Sequence, residues 1–277
     1  MAAGATLEGF TTSSFTHGGR RYPVYRRGHG PGVVIVHEIP GLHPAVAAFG
    51  RRVADAGFTA VLPELFGTLN RDFSAGYIAG SMLRACISRE FHVLARNASS
   101  PVTNWLRALC REVHAECGGP GVGALGMCLT GNFALALMVD EAVLAPVLSQ
   151  PSLPFGVSRS HRAALHLSPE DLAVVKRRAG EGCGVLGLRF THDALCPAAR
   201  FETLRRELGP GFEAIEIDSG PGNPHAIPRT AHSVLTKDLV DREGHPTRAA
   251  LDRTLAFFAE RLRPAAGRPS HEPAPGG

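Results

Sequence analysis

Six cysteines are spread along the 277 residues, and one of them stands where a thiol could do covalent chemistry. In Gly126-Met127-Cys128-Leu129-Thr130-Gly131 a short apolar run passes into a helical pattern, which resembles the nucleophile elbow G-x-S-x-G with cysteine in place of serine. Such a turn needs small neighbours, because the nucleophile sits in a strained backbone conformation and the next helix packs close. Gly126 meets that need two residues before Cys128. Two residues after it the usual glycine is replaced by Thr130, and Gly131 comes one position late. A helix beginning near Leu129 would aim its N-terminal dipole at Cys128 and favour thiolate over thiol. The plainer reading of Cys128 is a small buried residue in a packing turn.

A nucleophile needs a base and the base needs an orienting acid, which follow an elbow of this kind in the order nucleophile, acid, histidine. Asp193 lies in Thr191-His192-Asp193-Ala194-Leu195-Cys196-Pro197, at the end of an apolar run from Cys183 to Phe190. His232 follows the last predicted strand in Arg229-Thr230-Ala231-His232-Ser233. In that arrangement Asp193 orients His232, and His232 takes the proton of Cys128 and returns it to a leaving group. His225 is an alternative histidine, and Asp193 could instead cap the following helix.

A second motif competes for attention. Gly121-Val-Gly123-Ala-Leu-Gly126 matches the dinucleotide fingerprint G-x-G-x-x-G, but the fingerprint requires its glycines after a strand. Here HAECGGP precedes them and the glycines begin the strand, so nicotinamide or flavin binding is not expected. Cys110 and Cys117 have no second pair at zinc-ligand spacing, so no metal is expected either.

The elements that must position these groups alternate. Predicted strands are Val33–Val36, Phe58–Leu62, 121–126, 142–148, 183–190 and a last one around Phe212–Ile217. Predicted helices are 45–57, 102–117, 129–139, 169–179, 197–208 and 247–262. The helix at 169–179 opens with Ser168 as N-cap, Pro169 at the first position and two acids in its first turn. The last helix stacks Leu251, Leu255, Phe258 and Leu262 on one stripe. Strand-helix alternation with β-branched runs implies a mainly parallel α/β sheet covered by helices on both faces. The segment 67–104 is the least regular and could insert over the sheet's C-terminal edge. Residues 1–262 read as a single domain, and the proline-rich 263–277 as a disordered tail.

Composition narrows the function classes. The 29 basic and 25 acidic residues leave a formal charge of +4, and the short basic groups are scattered, so neither nucleic acid nor a membrane surface is an expected partner. No apolar run reaches membrane-spanning length. The first residues, MAAGATLEGF, show neither a basic n-region nor an apolar h-region, which reads as a cytoplasmic protein whose cysteines are thiols.

Taken together, the motifs resemble the dienelactone hydrolase family of α/β-hydrolases over nearly all of residues 20–262. The resemblance is carried by His37-Glu38-Ile39-Pro40-Gly41-Leu42, Asp55-Ala56-Gly57-Phe58, the Cys128 elbow, the Asp193 loop with Pro197, and Ala231-His232-Ser233. It implies an α/β-hydrolase fold without a cofactor, and a hydrolase cleaving a small lactone or ester through a cysteine acyl-enzyme. It also implies that Glu38 contacts the resting cysteine and switches it between thiol and thiolate, and that the N–H groups of Ile39 and Leu129 form an oxyanion hole. An arginine clamp for a substrate carboxylate is implied too. Thr236 stands where one arginine is expected, while Arg84 or Arg89 could supply the other, and His37 could line the pocket. A ligand-binding protein without turnover, or an acyltransferase or cyclase using the same acyl-enzyme, are the alternative readings.

Overall fold

In the computed structural model, which describes residues 7–67, 101–152 and 158–263, the β-branched runs become strands of one eight-stranded sheet. These are β1 (Thr11–His17), β2 (Arg20–Arg27), β3 (Gly32–Val36), β4 (Thr59–Pro63), β5 (Val122–Met127), β6 (Val143–Ser149), β7 (Val185–Phe190) and β8 (Phe212–Ile217). The order across the sheet is β1-β2-β4-β3-β5-β6-β7-β8. Only the β1–β2 and β2–β4 pairs are antiparallel. From β4 to β8 every pairing is parallel.

Period-two alternation in the central strands feeds two cores. Val33 and Ile35 of β3 pack with Val46, Phe49 and Val53 of α1 (Pro44–Asp55) and with Leu251 and Phe258 of α7 (Pro246–Leu262). Val34 and Val36 face the other way, onto Trp105, Leu106 and Leu109 of α2 (Pro101–Cys117) and Phe133 of α3 (Gly131–Leu137). Farther along that second face, a short α4 (Arg159–Ala163) precedes α5 (Pro169–Gly180) and α6 (Ala198–Leu208), and the last two cover the sheet with Val175, Phe201 and Leu204. Central strands buried on both faces are what a parallel sheet between two helical layers requires.

The predicted strands and helices fall within a few residues of those observed. The start of α5 follows its sequence signals, with the Ser168 hydroxyl accepting the N–H of Asp171 at 3.0 Å and Pro169 in the first turn. The helix expected over 129–139 is shorter: a 3-10 turn (Cys128–Thr130) leads into α3, which ends at Leu137. Just past its end the buried Arg178 guanidinium donates to the carbonyls of Met138, Asp140, Glu141 and Val143, where a helix terminus leaves carbonyls without partners of its own. Gly123 and Gly126 lie inside β5, so the G-x-G-x-x-G run is part of a strand. The tail beyond 263 and the greater part of 67–104 lie outside the described residues.

The chain runs from β3 to β4 on one side and returns to β5 on the other side of β3. Ligands of open α/β sheets bind at such a switch point, beyond the carboxyl ends of the strands. Glu38 follows β3 there, and Cys128 follows β5.

Candidate active site

The elbow is built by close approach. Cys128 has φ 55°, a left-handed conformation that a residue with a Cβ adopts only under constraint. A Cβ on Gly126 would lie 2.1 Å from the carbonyl oxygen of Thr130, and one on Gly131 would lie 2.5 Å from Cα of Pro151. Both positions therefore demand glycine. The displaced second glycine marks the contact with Pro151, whereas Thr130 uses its side chain. Its hydroxyl accepts the N–H of Met127 at 3.0 Å and lies 2.8 Å from the carbonyl of Met127, 3.0 Å from that of Val36 and 3.1 Å from that of His37. Thr130 thus ties the elbow to the end of β3.

The sheet brings Asp193 and His232 to the same edge. Oδ2 of Asp193 lies 2.6 Å from Nδ1 of His232, and Oδ1 accepts the N–H of Leu195 at 2.9 Å. Asp193 is 6% exposed. An ionised carboxylate only accepts, so Nδ1 carries the proton and the Nε2 lone pair is left for the thiol. Nε2 is buried without a regular hydrogen bond, and the charge on that side of the ring is the Cys128 sulfur. Burial alone would lower the His232 pKa. The Cys128 charge and the Asp193 hydrogen bond outweigh it and hold the imidazole well above its ordinary 6.5. An imidazole so held is disposed to accept a proton. The loop carrying His232 is pinned by Asp238, whose Oδ2 accepts the N–H groups of His232 and Ser233, each at 2.8 Å.

Glu38 is placed differently from the expectation. It is 1% exposed and makes no hydrogen bond to Cys128. Oε1 accepts from Thr236 Oγ1 and lies 3.2 Å from Nε2 of His43, while Oε2 accepts from Ser233 Oγ at 2.9 Å and Gln150 Nε2 at 3.2 Å. Four donors thus fill the carboxylate, and Thr236 is one of them. Burial pushes the carboxyl pKa up, but the hydrogen bond and charge of His43, then Thr236 and the His232 charge, set it below 4.5.

Of the other site expectations, Ile39 and Leu129 lie beside the elbow with little exposure. The Leu129 N–H belongs to the first turn after the strand, where a helix has no acceptor of its own. The Ile39 N–H donates to no acceptor among the described residues. His37 does not present its ring to a pocket: it is fully buried, with Nδ1 donating to the carbonyl of Glu38 at 3.1 Å and Nε2 accepting the N–H of Leu65 at 3.1 Å. Arg84 and Arg89 lie outside the described residues. Sequence reasoning overlooked His43, Gln150, Ser152, Asp238 and the bonding role of Ser233. The one legible signal was the polar run Ser149-Gln150-Pro151-Ser152 at the carboxyl end of a strand.

The His37 geometry has a consequence for stability. Both nitrogens are committed in the neutral ring, and burial lowers its pKa from 6.5 to about 4. The unfolded chain therefore takes up this proton first, so stability declines as pH falls from 6.5 and levels off near 4. The expected loss is about 3–4 kcal/mol at ~1.4 kcal/mol per unit. Urea unfolding at a series of pH values should show that slope and show it reduced in His37→Gln; an equal slope in the variant would exclude His37 as its source.

Among the described residues no three or more His, Cys, Asp or Glu side chains group so as to hold a metal ion, and no helix is long and apolar enough to cross a membrane. The mainly parallel sheet, the left-handed cysteine after its central strand and the Asp193–His232 pair at the same edge define an α/β-hydrolase fold. The chain belongs to the dienelactone hydrolase family, whose sequence profile matches residues 22–262. It is accordingly a hydrolase acting on a small molecule. Among solved structures it is similar to a protein assigned as a dienelactone hydrolase from Klebsiella pneumoniae subsp. pneumoniae MGH 78578, with TM-score 0.61 and 20% identity over 91% of this chain and 98% of that one. It is also similar to the dienelactone hydrolase-like promiscuous phosphotriesterase P91 from metagenomic libraries, with TM-score 0.58 and 18% identity over 92% and 98%. A third is the dienelactone hydrolase from Anabaena variabilis ATCC 29413, with TM-score 0.56 and 16% identity over 92% and 98%. No curated protein matches the sequence significantly.

Proposed function

We propose that this hydrolase cleaves a small lactone or ester through an acyl-enzyme on Cys128. The observation that carries the reading is the Asp193–His232 hydrogen bond of 2.6 Å on a ring whose other nitrogen is turned to a cysteine held at φ 55°. His232 takes the thiol proton, and the thiolate attacks the ester carbonyl. The N–H groups of Leu129 and Ile39 receive the developing oxyanion, each contributing about 3 kcal/mol in comparable sites. Collapse of the tetrahedral adduct breaks the C–O bond, and His232 returns its proton to the leaving alkoxide. The same histidine then deprotonates a water that hydrolyses the thioester. In a lactone the leaving alcohol stays tethered to the acyl group.

Cys128 should be the reactive thiol of the chain. Burial pushes the thiols of Cys110 and Cys183 up, and that of Cys196 up to about 12, so these three stay protonated at neutral pH. The five cysteines among the described residues are all unpaired, which suits a cytoplasmic, reducing environment. The test is intact-mass spectrometry after brief exposure to a panel of lactones, esters and thioesters. A transient acyl adduct mapping to Cys128 is expected. Hydrolysis of a panel member with the adduct on another residue would overturn the reading. Added alcohols in the product assay distinguish hydrolysis from acyl transfer, since both share the first half-reaction.

A further inference from the structure

The residues after β6 grip the elbow from the side opposite β3. The N–H of Ser152 donates to the carbonyl of Cys128 at 2.9 Å, and its hydroxyl donates to the Cys128 sulfur at 3.2 Å. Pro151 packs on Gly131 so closely that a side chain there would collide with it. Gln150, itself at φ 34°, reaches Glu38 with its amide nitrogen and accepts the N–H of Val234 with its oxygen at 3.3 Å. The whole segment is anchored by the buried guanidinium of Arg200, which donates to the carbonyls of Pro151, Ala164 and His161.

From this geometry we infer that Ser152 is a further catalytic residue, its hydroxyl donating to the sulfur of Cys128 and holding it as the attacking thiolate. The inference rests on the reading of Cys128 as nucleophile. A thiolate in a site where Cys128 is only 8% exposed has little water to solvate it, and hydrogen bonds to an ionised group are about twice as strong as neutral ones. The Ser152 hydroxyl is equally secluded, at 1% exposure, and the sulfur is the acceptor it uses among the described residues. The backbone bond between the same two residues fixes the hydroxyl's direction, so the donor is in place before the thiol ionises. No proton leaves Ser152. The thiol proton goes to His232, and the serine O–H remains intact while its acceptor changes from a weak neutral sulfur to a charged one. The sulfur thus has the Ser152 hydroxyl, from the loop after β6, as its hydrogen-bond donor, while His232, from the loop after β8, takes the proton.

The test measures iodoacetamide alkylation against pH, with peptide mapping of the alkylated cysteine, in the wild type, Ser152→Ala and Ser152→Gly. Both variants keep the backbone bond to the Cys128 carbonyl, so one remains available if the other fails to fold. In the wild type, Cys128 should react ahead of the other five cysteines. In a folded variant the preference for Cys128 should persist, with the midpoint moved about one unit to higher pH and the rate on the acid side of the wild-type midpoint about tenfold lower. Ester turnover should show the fall in kcat with KM little changed. An unmoved midpoint in a folded variant would overturn the role of Ser152 alone. A wild type in which Cys128 is not the preferred site would overturn the nucleophile reading beneath it.

Discussion

Cys128→Ala is expected to lower ester turnover by about 10⁴- to 10⁶-fold, the range seen when the nucleophile of a comparable triad is removed. Cys128→Gly should be equally inactive, and the two should differ in stability. At φ 55° an alanine still carries the Cβ that makes this conformation unfavourable, whereas glycine occupies it freely. The glycine variant should therefore exceed the alanine variant by about 1 kcal/mol in urea denaturation. Strain at the elbow is a structural cost of presenting the sulfur clear of the turn, and the pair of substitutions separates that cost from the chemistry. Turnover surviving in either variant would dismiss Cys128 as nucleophile. Equal stabilities would mean that the surrounding contacts, such as Thr130 on β3, impose no strain at this position.

The parallel part of the sheet was legible because its strands are continuous apolar runs and its helices carry apolar stripes. The hairpin of β1 and β2 was not. TTSSFTH is largely exposed at a sheet edge, and its pairing partner RRYPVYRR mixes arginines with two buried residues, so neither segment has the periodicity that marks a buried strand. The contrast extends to the site. Cys128, Asp193 and His232 could be singled out as candidates because the topology dictates the chain order and loop positions such groups would need. The residues around them answer to geometry that only the folded chain contains: Glu38 and Thr236 are 198 positions apart yet bonded, and Asp238 supports His232 through backbone N–H groups. Thr236 illustrates the difference. In sequence it is the absence of an arginine, whereas in the structure it is one of four donors on a buried carboxylate.

That carboxylate sets the other large expectation. Glu38→Ala should destabilise the protein by about 3–5 kcal/mol, because it strands four buried donors, from His43, Gln150, Ser233 and Thr236, at once. Glu38→Gln keeps the side chain's volume and one acceptor oxygen, and the serine and threonine hydroxyls can turn to accept from its amide, so a loss nearer 1–2 kcal/mol is expected. The variants should also differ from the wild type in acid. The folded pKa of Glu38 is lowered below 4.5, so its contribution is complete above the unfolded value and is lost as pH falls through the folded one. Urea midpoints compared at pH 7 and pH 3 test both statements. The wild type's advantage over Glu38→Gln should shrink at the lower pH, while Glu38→Ala, with its donors still unpaired, should remain the least stable. An advantage over Glu38→Gln that is the same at both pH values would show that the carboxylate's charge contributes nothing to the fold. The geometry predicts the opposite, since the loop bearing His232, the segment bearing Ser152 and the end of β3 all converge on Glu38, and its ionised form fastens them together.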